Sequence, residues 1–323
     1  MAVVSGTVQR YDRQGLRESL QERIYNVDPS DTPMVSMFGV GPKAKQTLEE
    51  WQTDEFRSAG SNAHIEGDAA AYTTPSATVR VGNYTQIVRE TASVSGTIEA
   101  VDKAGRKSEM AYQIMKRGVE IRTDLEWAVT QAQAPDGGSA GVARKFAALQ
   151  CWLKTNVDKA GDGTDPTYTS GVPGATRGDG TQRAFTETIA KNVFAAGYAS
   201  GAKFSVLMVG PFNKQVVSST FSGIVTRNFD ISNVDPRPTA AIASIDVYVS
   251  DFGTVRVLPN RIQRERDAWF LNPEFAELRY LRPFHTEKLA KTGDSMQKMV
   301  LAELTLAVLN EKALGAAFDL TTS

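Results

Sequence analysis

Cysteine is almost absent from this chain. Cys151 stands alone, so no intrachain disulfide can staple the fold, and the protein suits a reducing compartment or is indifferent to redox. Histidine is nearly as scarce. His64 and His285 lie far apart and far from Cys151, without the clustered ligands that a metal site needs. A charge excess of either sign is also missing: 36 basic residues face 37 acidic ones, for a net charge of -1. Binding to nucleic acid through counterion release needs a basic surface, so any such contact is expected to be local and weak. No apolar run reaches the ~20 residues that span a bilayer. The opening MAVVSGTVQRYDRQG lacks an apolar signal core, so no membrane association or signal-directed export is expected.

The chemistry-bearing patterns are thin. No G-x-S-x-G elbow is expected, the phosphate-loop pattern does not occur, and the glycines at Gly137-Gly138 and from Gly174 to Gly180 do not sit between a strand and a helix. Asp158, Asp162 and Asp165 lack the alternating ligands, central glycine and closing glutamate of a calcium loop, and read as a solvated loop. Glu49-Glu50 and Asp54-Glu55 are neighbours on a polar strand and point to opposite faces, so neither is an acid–base dyad. Arg177-Gly178-Asp179 spells an adhesion tripeptide and Asn83-Tyr84-Thr85 a glycosylation sequon; both read as chance. No catalytic, cofactor-binding or metal-binding residue is assigned, and no enzyme is expected.

What is present is a long polar hairpin feeding one long helix. The outgoing strand is 45–56, the tip 57–75 is rich in Ala, Gly, Ser, Asn and Asp, and the returning strand is 78–95. Ile87, Arg89, Thr91 and Ser93 share one face, and Val88, Glu90, Ala92 and Val94 the other; both are mixed. A two-stranded ribbon is marginal alone, so something outside it should cover it. The helix is expected over 105–133, with Met110, Ile114, Gly118, Ile121, Leu125 and Val129 inward, and Lys116–Glu120 and Arg122–Glu126 paired on its outer surface. Basic residues outnumber acidic ones along it. They suit a strip facing nucleic acid or acidic neighbours, or a solvated face with intrahelical pairs.

Ahead of the hairpin, 1–43 reads as an arm. Leu16, Leu20 and Ile24 form a helical stripe, Pro29 and Pro33 hold an extended segment, and Met34, Val35, Met37 and Phe38 make an apolar plug. The plug suits docking on a neighbour or packing on the chain's own core. A shorter helix is expected near 142–154 and a Gly/Pro/Asp-rich loop over 157–183. An α/β unit follows: helix 186–199 capped by Thr186, strand 204–209, helix 211–220, and paired strands 244–249 and 254–258. Strands 268–271, 277–281, 283–290 and 299–310 complete the chain.

Several blocks together resemble one family. They are DTPMVSMFG (31–39), EEWQTDEF (49–56), GNYTQI (82–87), SVSGTIEAVDKAGRKSEMAYQ (93–113), Trp152 to Asn156, SDFG with PNR (250–261), LAKTGDS (289–295) and LNEKALG (309–315). In order and spacing they are similar to the major capsid proteins of tailed bacteriophages, which have the Hong Kong 97-type fold. The resemblance implies an α+β chain with an N-terminal arm (1–44), an extended hairpin or E-loop (45–95), and a P-domain with the spine helix (96–157). An α/β A-domain (158–260) and P-domain strands with the C-terminus (261–323) complete it. It implies self-assembly through hexamers and pentamers into an icosahedral or prolate head shell around double-stranded DNA. Portal, scaffolding and decoration proteins are the expected partners, the host cytoplasm the place of assembly and the virion the destination, with no cofactor. A shell of the same fold around enzyme cargo, an encapsulin-like nanocompartment, is the alternative; an α/β enzyme on 186–260 is a third reading, without a catalytic constellation. Some shells of this fold are welded by a lysine–asparagine isopeptide bond with the lysine on the E-loop. No lysine occurs between Gln46 and Asp102, so no such crosslink is expected. A long charged scaffolding segment is also missing at the N-terminus, implying a separate scaffold or a mature start.

Overall fold

The structure, a computed structural model, describes residues 31–70, 72, 74–103, 105–221 and 247–323. The expected stripe at Leu16, Leu20 and Ile24, Pro29, and the start of the 244–249 strand lie outside them. The chain begins with α1 (Pro33–Met37), opened by a proline as a first turn allows, and β1 (Gly39–Val40). The ribbon is β2 (Leu48–Thr53) against β3 (Val79–Tyr84), with Leu48 opposite Tyr84 and Thr53 opposite Val79. β4 (Gln86–Ser95) follows, then α2 (Gly96–Ala100) and α3 (Glu109–Thr130). Next come β5 (Val157–Asp158), β6 (Tyr168–Thr169), β7 (Val172–Pro173), α4 (Glu187–Ala199), β8 (Val206–Val209) and α5 (Pro211–Thr220). β9 (Val247–Ser250), β10 (Gly253–Pro259), β11 (Ala268–Leu271), β12 (Ala276–Lys288), β13 (Ser295–Val308) and β14 (Gly315–Ala317) close the chain.

Two large sheets organise these elements. One runs β1-β12-β13-β4, and the other β5-β14-β11-β8-β10-β9. α3 lies along the first, and Ile121, Leu125 and Val129 join Leu304, Leu306, Trp269 and Phe318 in one core that both sheets share. α4 and α5 cover the other face of the second sheet, where Phe194, Leu207, Val257 and Phe270 pack together. Both helix starts follow local chemistry. Ser108 Oγ accepts from Ala111 N at α3, and Thr186 Oγ1 from Ile189 N at α4.

Of the expected inward face, Met110, Ile121, Leu125 and Val129 are buried and Ile114 is half-buried, but Gly118 has no described atom within 4 Å of where its Cβ would lie, and the helix is shorter. Its 22 residues span about 33 Å, because Ser108 caps it late and the chain turns extended at Gln131. The Arg122–Glu126 surface pair does not form. Glu126 is buried and accepts from Met34 N (2.9 Å) and Val35 N (2.8 Å), while Arg122 donates to Ser36 Oγ. The apolar plug is therefore α1, seated on its own chain's core, and not a contact waiting for a neighbour.

Three expectations are corrected. Residues 142–154 are not a helix: 146–153 are all buried and lack a polar face, so this stretch threads the interior. Its backbone is satisfied by Asn83 and Gln133, with Ala147 N donating to Asn83 Oδ1 and Ala148 N to Gln133 O. Only 149–151 makes a 3-10 turn. The returning strand 78–95 breaks at buried Thr85. Its first part completes the ribbon, but β4 pairs with β13, placing Ala92 and Val94 beside Met110. The strands expected at 277–281 and 283–290 are one 13-residue strand, β12, whose register shifts twice between Tyr280 and His285. Pro283, which has no N–H to donate, sits at that irregularity.

Candidate assembly surface

Beyond Thr53 the ribbon leaves the body. Residues 54–70 and 74–78 form no helix or strand, and Phe56, Ile65 and Tyr72 stand almost wholly in solvent. Large apolar side chains so placed mark a surface that meets a partner more often than a free one. Val40, Met115, Val119 and Trp127 are also exposed, the last three on the outer side of α3.

The base of the ribbon is held firmly. Trp51 stacks on Trp152 with ring centroids 5.5 Å apart, and Trp152 meets Tyr168 edge-on at 6.2 Å. Arg279 lies over Trp51 at 5.4 Å and Lys154 over Tyr168 at 4.6 Å, so a cation closes each end of the aromatic column. Trp51 Nε1 donates to Val308 O, and the Tyr168 hydroxyl donates to Trp152 O. Asn83 adds a second anchor, with Nδ2 donating to Ala147 O and Leu306 O. Sequence reasoning missed this column; a tryptophan in a polar strand was the only available signal.

The residues considered for chemistry are dispersed. His64 is exposed in the tip near Asn62 and Asp68. His285 is on β12, where hydrogen bonds to Pro283 O and Glu287 raise its pKa. Burial pushes the Cys151 thiol up to about 12, and it donates to Gln133 O. Asp158 pairs with Arg183, Asp162 accepts from Thr181, and Asp165 pairs with Lys159, so the three acids face separate partners. Glu49 and Glu50 divide between Arg279 and Arg80. Contrary to the expectation of no such pattern, Gly137–Gly141 does spell G-x-S-x-G. It forms a surface turn closed by the Ser139–Val142 bridge and not a strand-to-helix elbow. Asn83 is fully buried with its amide engaged, so the sequon has no free acceptor. Of Arg177-Gly178-Asp179 only Arg177 is buried, bonded to Asp319; Gly178 and Asp179 are exposed, and Asp179 pairs with Arg264. Among the described residues no group of three or more His, Cys, Asp or Glu could hold a metal ion. No described helix is long and apolar enough to cross a membrane.

The inward charges form a fastening under the long loop. Asp319 accepts from Arg177 at both carboxylate oxygens (3.1 and 2.9 Å), from Gly180 N and from Ala160 N. Burial would raise its pKa, but the Arg177 bonds outweigh that and hold it below the usual range. Arg177 also stacks on Phe318 at 4.1 Å. Asp267, fully enclosed nearby, finds no hydrogen-bond partner among the described residues for either carboxylate oxygen, and burial pushes its pKa up to about 7. Basic residues along α3 are mostly paired: Arg106 with Glu109, Lys116 and Arg117 with Glu120. That is the solvated face with intrahelical pairs, one of the two readings of this strip.

The described residues bring no catalytic set of reactive groups together and carry a long, anchored, solvent-facing projection. Similar chains are known. A curated relative, the major capsid protein of Escherichia phage Phieco32, is 28% identical over 343 residues, covering 95% of each chain. The capsid subunit of cyanophage A-1(L) superposes with a TM-score of 0.69 at 12% identity, over 95% of this chain and 98% of that one. The capsid of cyanophage P-SCSP1u matches at 0.59 and 9% identity, over 95% and 93%. These structures establish the Hong Kong 97-type fold, and nothing in the likenesses favours a nanocompartment shell. The sequence pattern of the SU10 major capsid protein family matches residues 3–321, so the chain belongs to that family of subunits forming phage capsid shells.

Proposed function

We propose that the ribbon and its tip are the E-loop and lie over a neighbouring copy in the shell. The observation that carries this is the contrast within one element: a base locked by Trp51, Trp152 and Asn83, and a tip whose Phe56, Ile65 and Tyr72 touch almost nothing. The E-loop so defined ends near Thr85, because β4 runs in the large sheet. The arm is then 1–44, the P-domain 86–157 with 261–323, and the A-domain 158–260, gathered around the axis of hexamers and pentamers. Each contact adds to many others, so modest interfaces sum to a stable shell. The role is structural, without catalysis. Double-stranded DNA lies inside, held by confinement and weak non-specific contacts. Portal and scaffolding proteins join during assembly in the bacterial host cytoplasm. Decoration proteins, which accompany the major capsid proteins in a solved phage G structure (TM-score 0.54, 10% identity), are a further class of partner.

Deletion of residues 58–74 tests the E-loop reading. The variant subunit keeps its melting temperature, because the described residues of that stretch are exposed and belong to neither core, and closed shells are lost in negative-stain micrographs. Normal shells from this variant would refute the reading.

A further inference from the structure

The long Gly/Pro/Asp-rich loop contains a structured piece that the shell role has not used. β6 and β7 form a two-residue hairpin, with Thr169 opposite Val172. Its central residues, Ser170 (φ 52) and Gly171 (φ 83), both have positive φ, the hand that a tight hairpin turn requires. The turn is pressed against the ribbon. Gly82 N on β3 donates to Gly171 O at 3.3 Å, and a Cβ at Gly171 would overlap the carbonyl oxygen of Arg80. Glycine is thus required twice at one position, by backbone hand and by contact with another strand. Tyr168, the first residue of the hairpin, ends the Trp51–Trp152 column from the other side.

We infer that the 168–173 hairpin is a clamp that fixes the direction in which the ribbon leaves the subunit, with Gly171 as its positioning residue. The ribbon is then held along both edges at its base: β2 pairs with one edge of β3, and the clamp closes on the other. Without the clamp, two short strands would carry a tip of more than twenty residues on the tryptophan stack and the Asn83 anchor, with one edge of β3 open, and the ribbon could swing. With it, the tip is aimed before a neighbour is met, and less orientational freedom is lost when copies join. The clamp belongs to the loop preceding α4, so it also couples the ribbon to the second sheet. This inference rests on the reading of the ribbon as an intersubunit element, but its first test does not.

Gly171→Asn separates the two demands on the glycine. Asparagine tolerates positive φ, so the turn survives, but its Cβ cannot fit against Arg80. In unassembled subunits with parent-like melting, exchange of the Gly82 amide should quicken roughly tenfold, and protease cutting near 52–55 and 78–80 should rise. Ser170→Gly, which keeps the turn and the contact, should behave as the parent. Should Gly171→Asn fail to fold, replacing 169–172 with two glycines gives the same comparison. Parent-like exchange and cutting in a folded clamp variant would overturn the inference, as would equal loosening by Ser170→Gly. In assembly, the loosened variant should give several-fold fewer closed shells; an undiminished yield would show that the clamp does not aim the ribbon. Failure of the 58–74 deletion to impair assembly would instead remove the E-loop reading and leave the exchange result standing.

Discussion

Asp267 shows how one side chain can set a pH dependence. It is wholly buried, and its carboxylate oxygens have no hydrogen-bond partner among the described residues, although Arg264 and Arg177 lie close enough to oppose the desolvation that raises its pKa to about 7. The folded chain therefore binds this proton more tightly than the unfolded chain. The contribution is fully present below the ordinary aspartate value near 4, is lost as pH rises toward 7, and is flat above that. The loss approaches ~1.4 kcal/mol per pH unit within the window. Asp267→Asn should flatten that slope and melt higher than the parent at pH 8, measured by denaturant unfolding across pH 4–8. A variant with the parent's slope would count against a charged, unpaired Asp267. Asp319, 52 residues further on, shows the reverse balance: there Arg177 outweighs burial and the carboxylate stays ionised.

At the scale of elements, α3 carries the strongest commitment. Ile121 and Leu125 are each 1% exposed in the core that both sheets share. Leu125→Asp places an unpaired charge there, and a loss of about 3–5 kcal/mol is expected from chemical denaturation. Unchanged melting would contradict the helix register. The same helix shows why its surface was harder to read. Glu126 has an i,i+4 partner in Arg122, which suggests an outer pair. In the fold it turns inward and takes the backbone N–H groups of Met34 and Val35 and the amide of Asn260. Burial raises its pKa in spite of these bonds. Residues 146–153 teach a related lesson, since apolar spacing suggested a helix where every residue is enclosed. Periodicity informs only when one side of an element meets water.

At the scale of the whole molecule, the question is how copies are joined. The ribbon carries no lysine between Gln46 and Asp102, so the lysine–asparagine weld has no donor there. Boiled, denatured shells should run as a single band near 35.0 kDa; a covalent ladder would overturn this. A single band would mean a shell held by non-covalent contacts, in which the aim of each ribbon matters more than it would in a welded shell. Met115, Val119 and Trp127 on α3 belong to the same scale, because the described residues leave them exposed.

The sequence by itself determined the class and much of the outline. Residue blocks such as SVSGTIEAVDKAGRKSE pointed to a capsid subunit, the 3.6-residue period placed α3, and Thr186 and Pro211 marked the starts of α4 and α5. These signals are local, set by capping, backbone restriction and one-sided burial, and they persist without knowledge of distant partners. Only the tertiary structure decided that β4 leaves the ribbon for the large sheet, that Glu126 seats α1, and that Gly171 closes on Arg80. Each of these joins residues tens to hundreds of positions apart through backbone groups, and every residue carries the same backbone. Their pairing therefore leaves no mark in composition or period until the chain is folded.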